Sequence, residues 1–317
     1  MISLADIKAA QQRLQGVIHT TPLLYSKTLS QMTGNEIYLK CENLQKTGSF
    51  KIRGAYNAAA SLSDEARAAG VVTGSSGNHG QALAYAGMTL GIRAVVVMPL
   101  DASKAKIAAC QGYGGEVILC GYTSEDRLAK AKELVEADGL TMVHPYDDPA
   151  IMAGQGTIGL EIVEQLPDVD MVVVQVGGGG LISGIATAIK ESKPSAKVLG
   201  VEPALSPRLR YSWEKGAPTE LEQWAPSVTD GIRTKKPGPL GFEVTRRYVD
   251  DLVTVEEDEI VKATKLVLER SKLLAEPSGA ATVAAALAGK LGVQGKKIVC
   301  VISGGNIELA RLAQIIG

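Results

Sequence analysis

Short, continuous runs of apolar residues recur along the chain, and each is followed by a longer segment with apolar residues at helical spacing. The clearest runs are MVVVQV at residues 171–176 and KIVCVIS at residues 297–303. Strands that are apolar at successive positions are typical of a parallel sheet that is buried on both faces. Their alternation with helices predicts right-handed βαβ crossovers and therefore an α/β fold with doubly wound parallel sheets.

The predicted strands and helices fall into two consecutive series along the 317 residues. We predict a small α/β domain over residues 69–147 and a larger domain formed by residues 1–68 and 148–317. Residues 204–240 are rich in Pro and Gly and have no clear periodicity, which predicts a long functional loop.

The composition is typical of a soluble globular protein, with 45% hydrophobic residues, 21% charged residues and a net charge of -1. This balance gives no electrostatic surface for nucleic acid or for an anionic membrane. No apolar run could span a bilayer, and the N-terminus predicts an amphipathic helix rather than a signal peptide, so we expect a cytoplasmic protein. The four cysteines are scattered, which argues against a disulfide framework and a zinc site.

Three glycine-rich turns follow predicted strands, at the edge where open parallel sheets bind ligands. They are SSGNHG at residues 75–80, GGGG at residues 177–180 and SGGN at residues 303–306. In the four-glycine turn, backbone N–H groups can converge on an anion, and the following helix adds its positive N-terminal dipole. We therefore predict a phosphate site there rather than a tight turn that binds nothing.

A lysine near the N-terminus narrows the choice of phosphate. The glycine turn lacks both the dinucleotide spacing and the P-loop pattern, whereas a phosphorylated cofactor that needs a lysine fits, and pyridoxal phosphate is the obvious candidate. Lys51 stands between Phe50 and Ile52 at the start of a predicted helix. An apolar wall lowers the pKa of an amine and makes it nucleophilic. Lys46 and Arg53 are expected to be solvated or structural.

Six motifs in order along nearly the whole chain resemble the serine/threonine dehydratase and serine racemase branch of the fold-type II pyridoxal-phosphate enzymes. They are KTGSFKIRGA, SSGNHGQALA, HPYDDP, AGQGTIGLEI, VGGGGLISGIA and ISGGN. The resemblance implies a fold like that of tryptophan synthase β, a homodimer, and a small mobile domain that closes over the substrate. It also implies that the chain lacks the C-terminal regulatory domain of biosynthetic threonine deaminase.

The same resemblance assigns the cofactor-binding residues. Lys51 would bind the cofactor covalently, and Phe50 would pack near its ring. Asn78 would donate a hydrogen bond to the phenolic oxygen, and Ser303 would face the pyridine nitrogen. The phosphate would be held by Gly177, Gly178, Gly179 and Gly180. A neutral hydroxyl at Ser303, rather than a carboxylate, would favour β-elimination over transamination.

The resemblance also implies the chemistry, which is dehydration and deamination of L-threonine or L-serine to a 2-oxo acid and ammonia. Lys51 would remove the α-proton, and Ser76 would be the acid/base on the opposite face. The residues expected at the substrate are Ser75, Ser76, Asn78, His79, Arg127 and Thr234.

Three alternatives stay open at this point. The first is a serine racemase, in which Ser76 reprotonates the opposite face; the aromatic Tyr146 in HPYDDP favours a dehydratase instead. The second is a dehydratase of 3-hydroxyaspartate or phenylserine, since Arg233 beside Thr234 could select an acidic side chain. The third is a non-catalytic small-molecule binding protein, which would not need Lys51.

A divalent cation site of the family is matched only in part. Glu202 and the carbonyl of Ser206 correspond to two ligands, but Arg208 occupies the position where an aspartate is expected. A carboxylate that faces a guanidinium does not suit Mg²⁺ or Ca²⁺. We therefore predict no metal, with Arg208 paired to Glu202 in place of the cation.

Overall fold

The fold was obtained as a computed structural model that describes residues 1–75 and 77–317. Within these residues the strands are β1 (Leu23–Tyr25), β2 (Glu36–Cys41), β3 (Val71–Gly74), β4 (Ala94–Met98), β5 (Glu116–Leu119), β6 (Thr141–Met142), β7 (Met171–Gln175), β8 (Lys197–Pro203), β9 (Asp251–Val255) and β10 (Lys297–Ile302).

The helices connect these strands and cover both faces of each sheet. They are α1 (Leu4–Leu14), α2 (Lys27–Thr33), α3 (Lys51–Ala60), α4 (Asp64–Ala69), α5 (Asn78–Leu90), α6 (Lys104–Gly112), α7 (Ser124–Asp138), α8 (Pro149–Gln165), α9 (Gly180–Ser192), α10 (Arg208–Lys215), α11 (Pro239–Tyr248), α12 (Glu257–Leu266), α13 (Pro277–Leu287) and α14 (Leu309–Ile316).

The strands form two sheets, in the orders β1-β2-β10-β7-β8-β9 and β5-β4-β3-β6. All pairs are parallel except β1 with β2, which is antiparallel. The predicted α/β class with two parallel sheets is confirmed, and the antiparallel edge strand β1 is an addition to it. Because β2, β10 and β7 are neighbours, the segments that follow them meet at one edge of the larger sheet.

Helices α8 and α9 are buried along most of their length against the larger sheet. They approach closely at two glycines, because a Cβ on Gly184 would lie 2.6 Å from the backbone nitrogen of Gly156. On the opposite face of the sheet, α12 and α13 complete a second apolar cluster with β2 and β10. A sheet covered on both faces explains why its strands are apolar at successive positions.

A further apolar cluster joins α3 to the smaller sheet and to α8. Ile52 and Ala55 of this helix pack with Leu83 of α5, Val71 of β3 and Ile151 of α8. Helix α3, which begins at Lys51, is therefore packed on one side against α5 and on the other against α8. The division of the chain at residues 68/69 and 147/148 stays a prediction.

The segment 204–240 is more ordered than its composition predicts. It contains α10 and a 3-10 turn at Asp230–Ile232, and α11 begins at its end. Helix α10 was missed because Leu209 is its only buried apolar residue, although Pro207 before it and Gly216 after it are ordinary helix boundaries. Helix α12 continues beyond Leu266 as a π-helix over Val267–Ser271.

None of the helices in the described part of the chain combines the length and the apolar character that a membrane span requires.

Candidate active site

Lys51, the first residue of α3, lies where the two sheets meet. Its amine donates a 2.6 Å hydrogen bond to the carbonyl oxygen of Pro145 and lies 5.1 Å from the centroid of the Phe50 ring. Burial lowers the pKa of this amine to about 8, and the negative charge of Glu276 opposes that shift. A substantial fraction of the amine is therefore neutral at mildly alkaline pH, as a nucleophile or base requires.

The turn before Lys51 is pinned to the SGGN segment that follows β10. The Phe50 N–H donates to the carbonyl of Ser303 at 3.0 Å, and the Gly305 N–H donates to the carbonyl of Gly48 at 2.9 Å. Thr47 has a left-handed backbone (φ 62°), and its carbonyl accepts a 2.7 Å hydrogen bond from the side chain of Asn306. These bonds bring the predicted residues Phe50, Lys51 and Ser303 into one site.

The four-glycine turn links β7 to the N-terminus of α9. A Cβ on Gly178 would overlap the ring of Tyr146, and one on Gly180 would lie 2.5 Å from the carbonyl oxygen of Tyr146. Gly179 has φ 98°, which side chains rarely adopt. Within the described residues, the N–H groups of Gly177–Gly179 have no protein acceptor. The turn therefore presents bare backbone donors at a helix N-terminus, as an anion site needs.

The dipeptide Pro145–Tyr146 connects the lysine with this glycine turn. The carbonyl of Pro145 accepts from Lys51, and the adjacent ring of Tyr146 packs on Gly178. His144 fixes the dipeptide, because its Nδ1 accepts from the Asp147 N–H at 2.8 Å and its ring meets that of Tyr146 edge to face. One short segment thus contacts both predicted parts of the site.

Asn78 opens α5 and is held by two side chains. Its Nδ2 donates to Oε1 of Glu276 at 2.9 Å, and its Oδ1 accepts from Nδ2 of Asn306 at 2.8 Å. Burial raises the pKa of Glu276 to about 7. A Cβ on Gly304 would lie 2.8 Å from Oε1 of Glu276, so SGGN and Asn78 also lie together.

His79 is buried, and its Nε2 lies 3.1 Å from the carbonyl oxygen of Val143. A carbonyl only accepts, so Nε2 carries the proton. Burial and then the charge of Lys51 lower the pKa of His79 to about 3. The imidazole is therefore neutral and oriented by the backbone, and its predicted contact with substrate stays a prediction.

The remaining predicted substrate residues lie around this edge. Ser75 directly follows β3, and its Oγ accepts from the Gly77 N–H at 3.4 Å. Arg127 on α7 lies beside Gly74, at the end of the same strand, and burial lowers its pKa. Thr234 follows the 3-10 turn whose last residue, Ile232, lies against Gly177. Ser76, predicted as the second catalytic residue, lies outside the described residues.

A family model for pyridoxal-phosphate dependent enzymes matches residues 14–304. The chain belongs to this family. The resemblance carried by the six motifs is thereby confirmed, and so is pyridoxal phosphate as the cofactor.

Named relatives of this pyridoxal-phosphate dependent enzyme cover the whole chain. It is 51% identical over 316 residues to an L-threonine ammonia-lyase of Thermotoga maritima, covering 100% of this chain and 78% of the relative. It is 46% identical over 318 residues to the catabolic L-threonine dehydratase TdcB of Escherichia coli, covering 100% and 96%. The solved structure of maize serine racemase superposes with a TM-score of 0.95 at 38% identity, covering 99% of this chain and 96% of that one.

The described residues of this pyridoxal-phosphate dependent enzyme fit the cofactor. Lys51 offers an amine with a lowered pKa, and the glycine turn is a cradle that a Cβ at Gly178 would fill. Asn78 keeps one side-chain N–H after bonding Glu276, and Ser303 is buried beside Phe50. An amine, an anion cradle and single polar groups are the donor set that a phosphorylated aldehyde requires.

The predicted pairing of Arg208 with Glu202 is not a direct ion pair. The carboxylate of Glu202 accepts from the N–H groups of Leu209 and Arg210, at 2.7 and 2.9 Å, and so caps α10. The guanidinium of Arg208 donates to the carbonyl of Ser206 at 3.2 Å, and the described residues contain no ion pair between it and Glu202. The two charges still attract, because Arg208 lowers the pKa of Glu202 against the larger, opposing effect of burial. The replacement of a cation by Arg208 and the absence of a metal stay predictions.

Arg53 is structural rather than solvated, which is one of the two alternatives expected for it. Arg53 is fully buried and donates to Glu42 and Glu161, while Lys40 shares Glu161 at 2.6 Å. The planar guanidinium can donate to two carboxylates at once, and these charge-assisted hydrogen bonds compensate for the loss of water around Arg53. Lys46 is partly buried, with its amine 5.7 Å from the centroid of the Tyr85 ring.

The sequence reasoning overlooked Glu276 and Asn306. Glu276 is the one acidic residue in the apolar segment LLAEPSGAA, at residues 273–281. A single carboxylate that stands between apolar residues and a proline that opens a helix could have indicated a functional residue from the sequence. Asn306 closes the SGGN motif, but its partners Thr47 and Asn78 are too distant in sequence to be inferred.

Proposed function

We propose that this enzyme dehydrates and deaminates L-threonine and L-serine to a 2-oxo acid and ammonia. The observation that carries the proposal is the placement of Lys51 and the glycine turn on either side of Pro145–Tyr146. The Lys51 amine, whose pKa is lowered, therefore lies across this dipeptide from the proposed anion site of the glycine turn. Relatives at 43–51% identity are named L-threonine ammonia-lyases or dehydratases, which supports the same reaction.

The cofactor site would be built from the start of α3, the start of α5, the backbone of the four-glycine turn and the first residue of SGGN. Its members would be Phe50, Lys51, Asn78, Gly177, Gly178, Gly179, Gly180 and Ser303. When bound there, pyridoxal phosphate supplies an electron sink that stabilises negative charge at the substrate Cα. The phosphate would accept from the bare N–H groups of the glycine turn and face the positive end of α9.

Lys51 would act as the general base. Because its pKa is about 8, the amine is partly neutral near neutral pH and can take a proton from Cα. Its hydrogen bond to Pro145 keeps it on one side of the site. His79, neutral and buried near Lys51, adds no competing positive charge. The hydroxyl of Ser303 would leave the pyridine nitrogen unprotonated, and Ser303→Asp would then increase transamination relative to elimination.

The substrate carboxylate would bind at the N-terminus of α5, where Ser75 and Asn78 lie. Ser76, which lies outside the described residues, is proposed as a further contact from the sequence alone. Arg127 and Thr234 would reach the site from α7 and from the segment after the turn Asp230–Ile232. Residues 69–147 would move as the closing domain. We also propose that the protein is cytoplasmic and that it forms a homodimer.

The test is incubation of the purified enzyme with L-threonine, L-serine, 3-hydroxyaspartate and phenylserine, followed by assays for 2-oxo acid and for D-serine. The proposal predicts that L-threonine and L-serine give most of the 2-oxo acid. Predominant formation of D-serine would establish a racemase instead, and turnover of 3-hydroxyaspartate or phenylserine alone would change the substrate. No turnover of any of the four would contradict the proposal.

A further inference from the structure

Glu276 is a buried carboxylate at the centre of the site with no role in the chemistry described above. It stands immediately before α13 and is 9% exposed. Its backbone N–H donates to the carbonyl of Gly304 at 3.0 Å, and its Oε1 lies 2.9 Å from Nδ2 of Asn78. Burying a carboxylate costs free energy of desolvation, so we expect Glu276 to have a function in this site.

Glu276 and Asn306 together permit only one orientation of the Asn78 amide. A side-chain amide has a carbonyl oxygen that accepts and an NH₂ group with two donors. The side-chain NH₂ group of Asn306 donates one hydrogen bond to the carbonyl of Thr47, at 2.7 Å, and the other to Oδ1 of Asn78, at 2.8 Å. The amide nitrogen of Asn78 must then face the carboxylate of Glu276. One N–H of Asn78 is left to face the site.

The same carboxylate acts on the reactive amine. The negative charge of Glu276 raises the pKa of Lys51 against the larger, opposing effect of burial. Charged groups from three other elements face Glu276: Lys51 of α3 and Lys106 of α6 favour its ionised form, and Asp230 of the 3-10 turn disfavours it. Burial is the largest influence and raises the pKa of Glu276 to about 7.

We propose that Glu276 is a positioning residue that orients the amide of Asn78 toward the cofactor. The inference rests on the proposed role of Asn78 in cofactor binding. It does not require that the substrate be threonine or serine.

Two substitutions test the orienting contact. Glu276→Gln keeps an oxygen that accepts from Asn78, and Glu276→Leu removes it. Glu308→Gln is the matched control, because Glu308 also stands immediately before a helix but is exposed. Equilibrium titration of each apoprotein with pyridoxal phosphate gives the affinity for the cofactor.

Glu276→Gln should change cofactor affinity less than threefold, because its amide oxygen still accepts from Asn78. Glu276→Leu should bind the cofactor at least tenfold more weakly than the wild type. Glu308→Gln should match the wild type.

Equal cofactor affinities in the Gln and Leu variants would overturn the orienting role. If the Leu variant does not fold, Asn306→Ala takes its place, since it releases Asn78 from the opposite side and should weaken cofactor binding by a similar factor. The readout does not use turnover, so it decides the role of Glu276 even if the wild type deaminates none of the tested substrates.

Discussion

The amine of Lys51 lies 2.6 Å from the carbonyl oxygen of Pro145, 94 residues further along the chain. This contact draws the segment after β6 onto the start of α3, a helix packed between α5 and α8. Because Tyr146 then covers the glycine turn, a single backbone segment sets the distance between amine and anion cradle. The predictions below test this arrangement.

Gly178 should not tolerate a side chain. In Gly178→Ala the new Cβ overlaps the ring of Tyr146, so the ring or the turn must shift. Overpacking of this kind typically costs about 1–3 kcal/mol, and we expect a similar loss in binding of pyridoxal phosphate. Cofactor titration of the apoprotein measures it. In Gly178→Ala/Tyr146→Ala the ring is absent, so the additional cost of the alanine at residue 178 should largely vanish.

Gly112→Ala is the control for this series, because a Cβ at Gly112 meets nothing within 4 Å and its φ is not left-handed. It should leave cofactor affinity unchanged. Additive effects of the Gly178 and Tyr146 substitutions would show that the ring does not cover the turn.

Arg53 should be among the residues on which stability depends most. Arg53→Met leaves Glu42 and Glu161 buried without their partner, and breaking a buried ion pair in this way costs about 3–5 kcal/mol. Arg93 is the matched control, since it also bonds two carboxylates, Glu116 and Asp138, but is exposed. Arg93→Met should cost at most about 1 kcal/mol.

Urea denaturation of the apoproteins measures both losses. Arg53→Lys should be intermediate, because an ammonium cannot reproduce the guanidinium fork. Losses of the same size for Arg53→Met and Arg93→Met would contradict the buried network.

His79 should make the protein less stable in mild acid. Its folded pKa of about 3 lies below the ordinary value of 6.5, so between these values the unfolded chain binds a proton that the folded protein does not. The contribution of His79 is therefore present above pH 6.5 and is lost as pH falls, by up to about 1.4 kcal/mol per pH unit. His79→Gln lacks this dependence and should lose less stability between pH 6.5 and pH 5.

Nuclear magnetic resonance of labelled histidine checks the same point directly. The imidazole of His79 should stay neutral, with its proton on Nε2, down to pH 5. Protonation with a midpoint near 6.5 would mean that the ring is solvated and that its bond to Val143 does not hold it.

The strand and helix order was predictable because the strands are apolar at successive positions and the glycine-rich turns mark their ends. Residues whose position follows from the backbone alone, such as Lys51 at a helix start and Gly177–Gly180 after β7, were therefore found from sequence. Helices α10 and α11 were missed because their buried faces are narrow, and local pattern then carries little information.

The side-chain network could not be predicted in the same way. Glu276 meets Asn78 across 198 residues, and Arg53 meets Glu161 across 108. Such pairs depend on how α3, α5, α8 and α13 pack, and a sequence pattern gives no register between helices. For Glu202, a resemblance to a metal site suggested a direct pairing with Arg208, whereas its hydrogen-bond partners are N–H groups at the start of α10.

The central claim is that Lys51 holds pyridoxal phosphate, and borohydride reduction of the holoenzyme tests it most directly. Reduction fixes the cofactor to the amine that carries it, and digestion followed by mass spectrometry locates the modified residue. We predict one pyridoxyl group for each chain, on Lys51, and none in Lys51→Ala, with loss of the visible absorbance in that variant. A pyridoxyl group on Lys46 or on any other lysine, or an unchanged visible spectrum in Lys51→Ala, would contradict the account.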